Sequence, residues 1–109
     1  MALDGQRLLG DMLDAVQGVV AGRWPDIQNL AEEELEGLAQ IFLRIEARKL
    51  QNKISDEEAA MLLRMHRRAV EAVLASIEGM TLIMAEMAIN AAMDAVKNAV
   101  NSAVGFDLL

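Results

Sequence analysis

Cysteine and tyrosine are absent from the 109-residue sequence, and histidine and tryptophan occur once each. Without cysteine the chain has no disulfide framework, no thiolate zinc site and no cysteine nucleophile. Aromatic residues make up 3% of the sequence, which is too few for a typical β-sandwich or barrel core. With one histidine and neither cysteine nor tyrosine, the chain offers few of the side chains that act in general acid–base catalysis, and we expect no enzyme, no cofactor and no catalytic or metal-ligating residue.

Negative charge dominates the sequence. The 17 acidic and 10 basic residues give a net charge of −7. Nucleic-acid binders need a basic stripe that neutralises phosphates, so we expect no nucleic-acid partner. The cations Arg64, Arg67 and Arg68 are expected to pair with carboxylates of a neighbouring helix. The N-terminus lacks a basic start followed by an apolar run, and this, with the absence of cysteine, predicts a cytoplasmic protein.

Helical periodicity and capping signals predict three helices in a single all-α domain, residues 1–109. The helices cover about residues 4–21, 26–51 and 56–104. Asp4 is placed to cap the first helix and Gly22 to end it. Ser55 and Glu58 have the spacing of a capping box, the most specific local signal in the chain. We expect the third helix to continue past Gly79, since a lone glycine costs only about 1 kcal/mol relative to alanine.

The segment between the first two helices holds the single tryptophan. Trp24 precedes Pro25, which biases its backbone towards extended geometry. We therefore predict a hinge over residues 22–25, with the indole covering one end of the core. The alternative is that Trp24 is an exposed anchor for a protein partner, because tryptophan is enriched at binding hot spots.

The predicted helix lengths favour an assembly of several chains. A continuous helix over residues 56–104 would be ~74 Å long, and the helix before it would form an antiparallel hairpin with only its first half. The first two helices laid end to end would line most of the third. Such a rod leaves apolar surface exposed, which favours a homo-oligomeric helical bundle. The competing geometry breaks the third helix at Gly79 and folds the chain into a compact four-helix monomer.

The second half of the third helix is the predicted association surface, because it carries few charges and many small residues. Small side chains let helix axes approach closely, and methionines fill irregular gaps between them. The residues predicted to lie in the oligomer interface are Met80, Met84, Met87, Ala88, Ala91, Ala95 and Ala99.

The remaining candidates for chemistry are few. His66 has no carboxylate three or four residues away, so we expect a solvated or structural histidine. Leu63 stands where the Glu-x-x-His motif of di-metal bundles needs a glutamate. A carboxylate-bridged metal site, the third functional hypothesis, would have to use glutamates brought together by assembly; the candidates are Glu46, Glu71, Glu78 and Glu86. We expect these glutamates instead to be surface charges or to pair with Arg44, Arg64 or Arg68.

Residues 88–106, AINAAMDAVKNAVNSAVGF, resemble small helical proteins of bacteria and their prophages. The resemblance covers 19 of the 109 residues. It includes no catalytic motif and implies only an accessory role.

Two functional hypotheses from different classes come first. The favoured one is a non-enzymatic assembly or adaptor protein that acts through homo-oligomerisation and contacts with other proteins. The alternative is a membrane-active helical protein, such as a lysis or secretion factor, that inserts the region Gly79–Met93. The acidic charge disfavours attraction to anionic bilayers and places this alternative second.

Overall fold

A computed structural model describes residues 2–109 of the chain. Within this range the fold is all-α, as the sequence predicts, and contains no strand. The elements, in chain order, are α1 (Gly5–Val20), a 3-10 turn (Ala21–Arg23), α2 (Trp24–Leu50), α3 (Asp56–Ala75) and α4 (Leu82–Val104).

Helix α1 begins and ends close to the predicted positions. The Oδ1 atom of Asp4 accepts hydrogen bonds from the backbone N–H groups of Gln6 and Arg7, at 3.0 and 3.4 Å, and so caps the helix. At the other end Ala21, not Gly22, is the capping residue, with φ of 49°. The apolar face of α1 is fully buried at every fourth residue; its members are Leu8, Met12, Val16 and Val20.

The predicted hinge is shorter than expected. Trp24 is not extended: its φ and ψ of −52° and −45° are helical, and it is the first residue of α2. Pro25 lies in the first turn of that helix, where its missing N–H would have had no intrahelical partner. The chain therefore reverses within the single 3-10 turn, and α1 packs along α2 instead of continuing it end to end.

Helix α3 begins at the predicted capping box. The Ser55 hydroxyl accepts from the backbone N–H of Glu58 at 3.0 Å, and the Glu58 carboxylate accepts from the backbone N–H of Ser55 at 3.1 Å. Just before it, Lys49 forms an ion pair with Asp56 and lies 5.1 Å from the centroid of the Phe106 ring. These contacts fix the turn between α2 and α3 and bring the C-terminal residues onto it.

The prediction of one continuous helix over residues 56–104 is wrong. Helix α3 ends at Ala75, and Gly79 adopts a left-handed φ of 85°, which interrupts helical geometry. Thr81 then starts α4, because its hydroxyl accepts from the backbone N–H of Met84 at 3.1 Å. The molecule consequently measures 43 × 22 × 19 Å, and not the ~74 Å of the predicted rod. The competing four-helix geometry describes the monomer correctly.

Helix α4 is the central element of the bundle. It packs against α1, α2 and α3, as expected for a helix that is apolar around much of its circumference. Its pairing with α1 is the most extensive in the molecule. Ala85, Ala88 and Ala92 are completely buried, and such small side chains permit close approach of two helix axes.

Candidate functional site

The predicted association residues, which lie in α4 and in the turn before it, are found in different environments. Met80 and Ala88 are buried in the core of the monomer. In this conformation they are therefore not accessible to a second chain. Their burial follows from the break at Gly79, which lets α3 fold back against α4 and lets α1 cover the alanine-rich side.

The other members of the predicted surface do reach the outside of α4. Met84 and Ala91 are half-buried, whereas Met87, Ala95 and Ala99 are exposed. Ala99 lies beside the start of α1, in a shallow cleft with Leu3, Asp4 and Arg7 among its lining residues.

One outward row on α4 is free of charge. We call it the α4 stripe, and it consists of Ile83, Met87, Ala91 and Ala95, each four residues from the next. Ile83 is 70% exposed and Met87 is 55% exposed. Residues at i and i+4 are neighbours on one helix surface, so these side chains form a continuous ridge. Beside its first residue Leu82 is also exposed.

Ile83 belongs to this surface but is absent from the sequence-predicted set. Ile83 lies in a largely apolar run between Met80 and Met84, and the sequence of this run does not distinguish exposed side chains from buried ones. The cap at Thr81 is a local signal for the start of α4, but it does not show which side of the helix faces outward. Once Thr81 is recognised as the residue that caps α4, helical spacing places Ile83 and Met87 on one side and Ala85 and Ala88 on another.

Trp24 lies half-buried at the end of the bundle and packs against the main core. Its side chain is thus neither fully exposed nor fully buried. Beside it, the Arg23 guanidinium donates a hydrogen bond from Nη2 to the backbone carbonyl of Glu78 at 3.0 Å. The turn that precedes α2 is thereby joined to the turn that precedes α4.

Glu46 is the single buried charged residue among those described, with 1% of its surface exposed. Its Oε2 accepts hydrogen bonds from the backbone N–H groups of Ala2 and Leu3, at 2.9 and 3.2 Å. The expectation that Glu46 is a surface charge or pairs with an arginine is therefore wrong. Glu46 instead holds the segment before α1 against α2.

The structure also places the residues that were candidates for chemistry and for membrane insertion. His66 is exposed, in agreement with the expected solvated histidine. Within residues 2–109, no group of three or more His, Asp or Glu side chains is placed to hold a metal ion. Across the same range, no helix combines the length and the apolar character that crossing a membrane requires. The region Gly79–Met93 is divided between the turn and the first half of α4.

Comparison of the chain with models of protein families, with curated proteins and with solved structures gives no match.

Proposed function

We propose that the chain is a non-enzymatic helical assembly protein that self-associates through the α4 stripe and presents its remaining surfaces to protein partners. The observation that supports this proposal is the exposure of Ile83 and Met87 at 70% and 55% on a row of α4 that carries no charge. Large apolar side chains that lie together on a surface mark sites of association more often than isolated ones do.

The stripe has the composition that a helix–helix contact needs. Full burial of an isoleucine or methionine side chain contributes about 1.5–3 kcal/mol, and each chain offers both Ile83 and Met87. Ala91 and Ala95 continue the row with side chains small enough for two helices to approach closely. Because every copy presents the same row, the simplest closed arrangement is a two-fold dimer in which α4 packs on α4.

Paired substitutions test this surface. In Ile83→Gln/Met87→Gln, two amides would be buried without hydrogen-bond partners on association, which costs about 1–3 kcal/mol for each group. At high ionic strength, where contacts between exposed charges are screened, the variant is expected to remain monomeric in light scattering at concentrations where the wild type associates. Glutamine favours helix, so the fold should be retained, as circular dichroism will verify.

A matched control is available on α3. Met61 and Met65 are 59% and 64% exposed and are also four residues apart. Met61→Gln/Met65→Gln should associate like the wild type. If both double variants associate equally, or if both lose association, the α4 stripe is not the interface.

The absence of cysteine from the sequence permits a second, geometric test. A Met87→Cys/Ala91→Cys variant should form a disulfide-linked dimer under mild oxidation, because a two-fold contact along the stripe brings position 87 close either to its own copy or to position 91 of the second chain. Met61→Cys/Met65→Cys, a pair with the same spacing on α3, should crosslink between chains only slowly. Equal rates of crosslinking for the two variants would contradict the proposed arrangement.

A further inference from the structure

A second surface, on the side of α3, carries a concentration of positive charge. Three arginines and one glutamate line a cleft of about 380 Å³ together with four apolar residues. We call it the basic cleft; its lining residues are Ala60, Leu63, Arg64, Arg67, Arg68, Glu71, Leu108 and Leu109.

The C-terminal residues build one wall of the basic cleft. The backbone N–H of Leu109 donates to Oδ1 of Asn101 at 2.9 Å, and Nδ2 of Asn101 donates to the Leu109 carbonyl at 3.4 Å. These two bonds turn the tail back along α4, so that Leu108 and Leu109 pack against the main core. The cleft therefore combines an apolar wall with a row of guanidinium groups.

The charge in the basic cleft is only partly balanced. Arg67 pairs with Glu71 at 3.3 Å and also donates a hydrogen bond to Asn90. Arg64 and Arg68 are exposed, and neither forms an ion pair with another residue in the range 2–109. They lie four residues apart on one face, where like charges repel. Guanidinium groups bind carboxylates through paired hydrogen bonds, so this cleft is suited to an acidic group next to an apolar one.

A cleft that presents acidic groups next to apolar ones lies between α1 and α2. Three carboxylates, one amide and two half-buried leucines line it, and no basic residue does. We call it the acidic cleft, and its lining residues are Leu9, Leu13, Asn29, Glu32, Glu33 and Glu36. Both clefts therefore place leucines beside charged groups. The predominant charge is positive in the basic cleft and negative in the acidic cleft.

The topology prevents one chain from joining its own two clefts. Helices α1 and α3 both pack against α2 and α4, but among the described residues they make no contact with each other. They therefore lie on opposite sides of the bundle. When the basic cleft of one copy meets the acidic cleft of another, each copy keeps one cleft unused, so that further copies can add.

We propose that the basic cleft binds the acidic cleft of a second copy of this chain, which makes the assembly extend from head to tail. This inference rests on the proposed role in self-association, but it uses residues outside the α4 stripe. It also predicts a distinct response to salt. Contacts between exposed charges weaken as ionic strength rises, whereas burial of the apolar stripe does not depend on charge.

The experiment uses light scattering at low ionic strength in the Ile83→Gln/Met87→Gln background, so that association through the stripe is removed. Adding Arg64→Gln/Arg68→Gln, or separately Glu33→Gln/Glu36→Gln, should reduce the molar mass to the 11.9 kDa of one chain. Arg44→Gln/Arg48→Gln is the control, since these two exposed arginines are also four residues apart. It should leave the mass unchanged.

Mixing the two cleft variants gives the decisive result. The first variant retains a native acidic cleft and the second retains a native basic cleft, so the mixture should form a complex of one copy of each that cannot extend. Added salt should dissociate it. The inference is overturned if the mixture scatters like the separate variants, or if the Arg64/Arg68 variant associates as strongly as the Arg44/Arg48 control. The stripe is tested separately by the variants with native clefts, so failure of one interface is distinguishable from failure of the other.

Discussion

The guanidinium of Arg23 occupies the space in which a side chain at position 79 would lie. A Cβ atom built on Gly79 would overlap the Nη2 atom of Arg23, and the same nitrogen donates to the neighbouring Glu78 carbonyl at 3.0 Å. Glycine is thus required at position 79 both by its φ of 85° and by this contact. The contact joins the two chain reversals at one end of the bundle and holds α4 in the position that exposes its stripe.

Gly79→Ala should lower the free energy of unfolding by about 2 kcal/mol, because alanine is strained at a left-handed φ and because Arg23 must move. Urea denaturation monitored by circular dichroism measures the loss. Gly10→Ala is the control: it lies in α1 with open space around it, and alanine there should raise the stability by about 0.5–1 kcal/mol.

The contribution of Arg23 to this effect can be isolated. In an Arg23→Ala background the guanidinium is gone, so Gly79→Ala should cost less than it does in the wild type. The same cost in both backgrounds would show that only the backbone conformation of Gly79 matters.

Ser55→Ala should lower the free energy of unfolding by about 1 kcal/mol, since it removes the hydroxyl that caps α3. Chemical denaturation checks this value. Ser102→Ala, at an exposed position within α4, is a control for the loss of a serine hydroxyl and should not destabilise the chain. A loss for Ser55→Ala no larger than that of the control would contradict the role of the cap.

The capping box also predicts a dependence of stability on pH. The pKa of Glu58 is lowered from its ordinary 4.5, first by the hydrogen bond from the Ser55 backbone N–H and second by the Ser55 side chain. The folded-state pKa is therefore below the unfolded value. The stabilisation is present above pH 4.5 and is lost as the pH falls through the folded-state pKa.

Comparison of the wild type with Glu58→Gln tests this dependence through the urea midpoint, measured from neutral pH to well below 4.5. The difference in stability between the two proteins should shrink as the pH falls. A difference that stays constant over the whole range would show that ionised Glu58 does not stabilise the fold.

Glu46→Ala should release the segment before α1, because the backbone N–H groups of Ala2 and Leu3 lose their acceptor. Loss of a partner for such groups costs about 1–3 kcal/mol. Hydrogen exchange should become faster at Leu3, while the amides of α3 remain protected. Unchanged exchange at Leu3 would contradict the assigned contact.

The sequence predicted best what depends on neighbouring residues. The caps at Asp4 and Ser55 are confirmed because each is set by a side chain and amides within three residues. The end of α3 was missed, since it depends partly on Arg23, which is 55 residues from Glu78 along the chain. Glu46 was misjudged for the same reason: its partners lie 43 and 44 residues away.

The proposed site could be predicted only in part. Periodicity located an apolar helix after Gly79, and Met87, Ala91 and Ala95 are on its outer row. Periodicity could not distinguish these three residues from the buried Ala88. A helix that is apolar around its circumference gives no local sign of which side its neighbours cover. That information comes from the packing of α1, α2 and α3 around α4.

The central claim is that this chain associates with itself, and the most direct test is the molar mass of the wild-type protein by light scattering over a wide range of concentrations. The proposed assembly predicts a mass that rises above the 11.9 kDa of one chain as the concentration increases. A mass that stays at 11.9 kDa at every concentration, at low and at high ionic strength, would contradict both the α4 stripe and the paired clefts as interfaces.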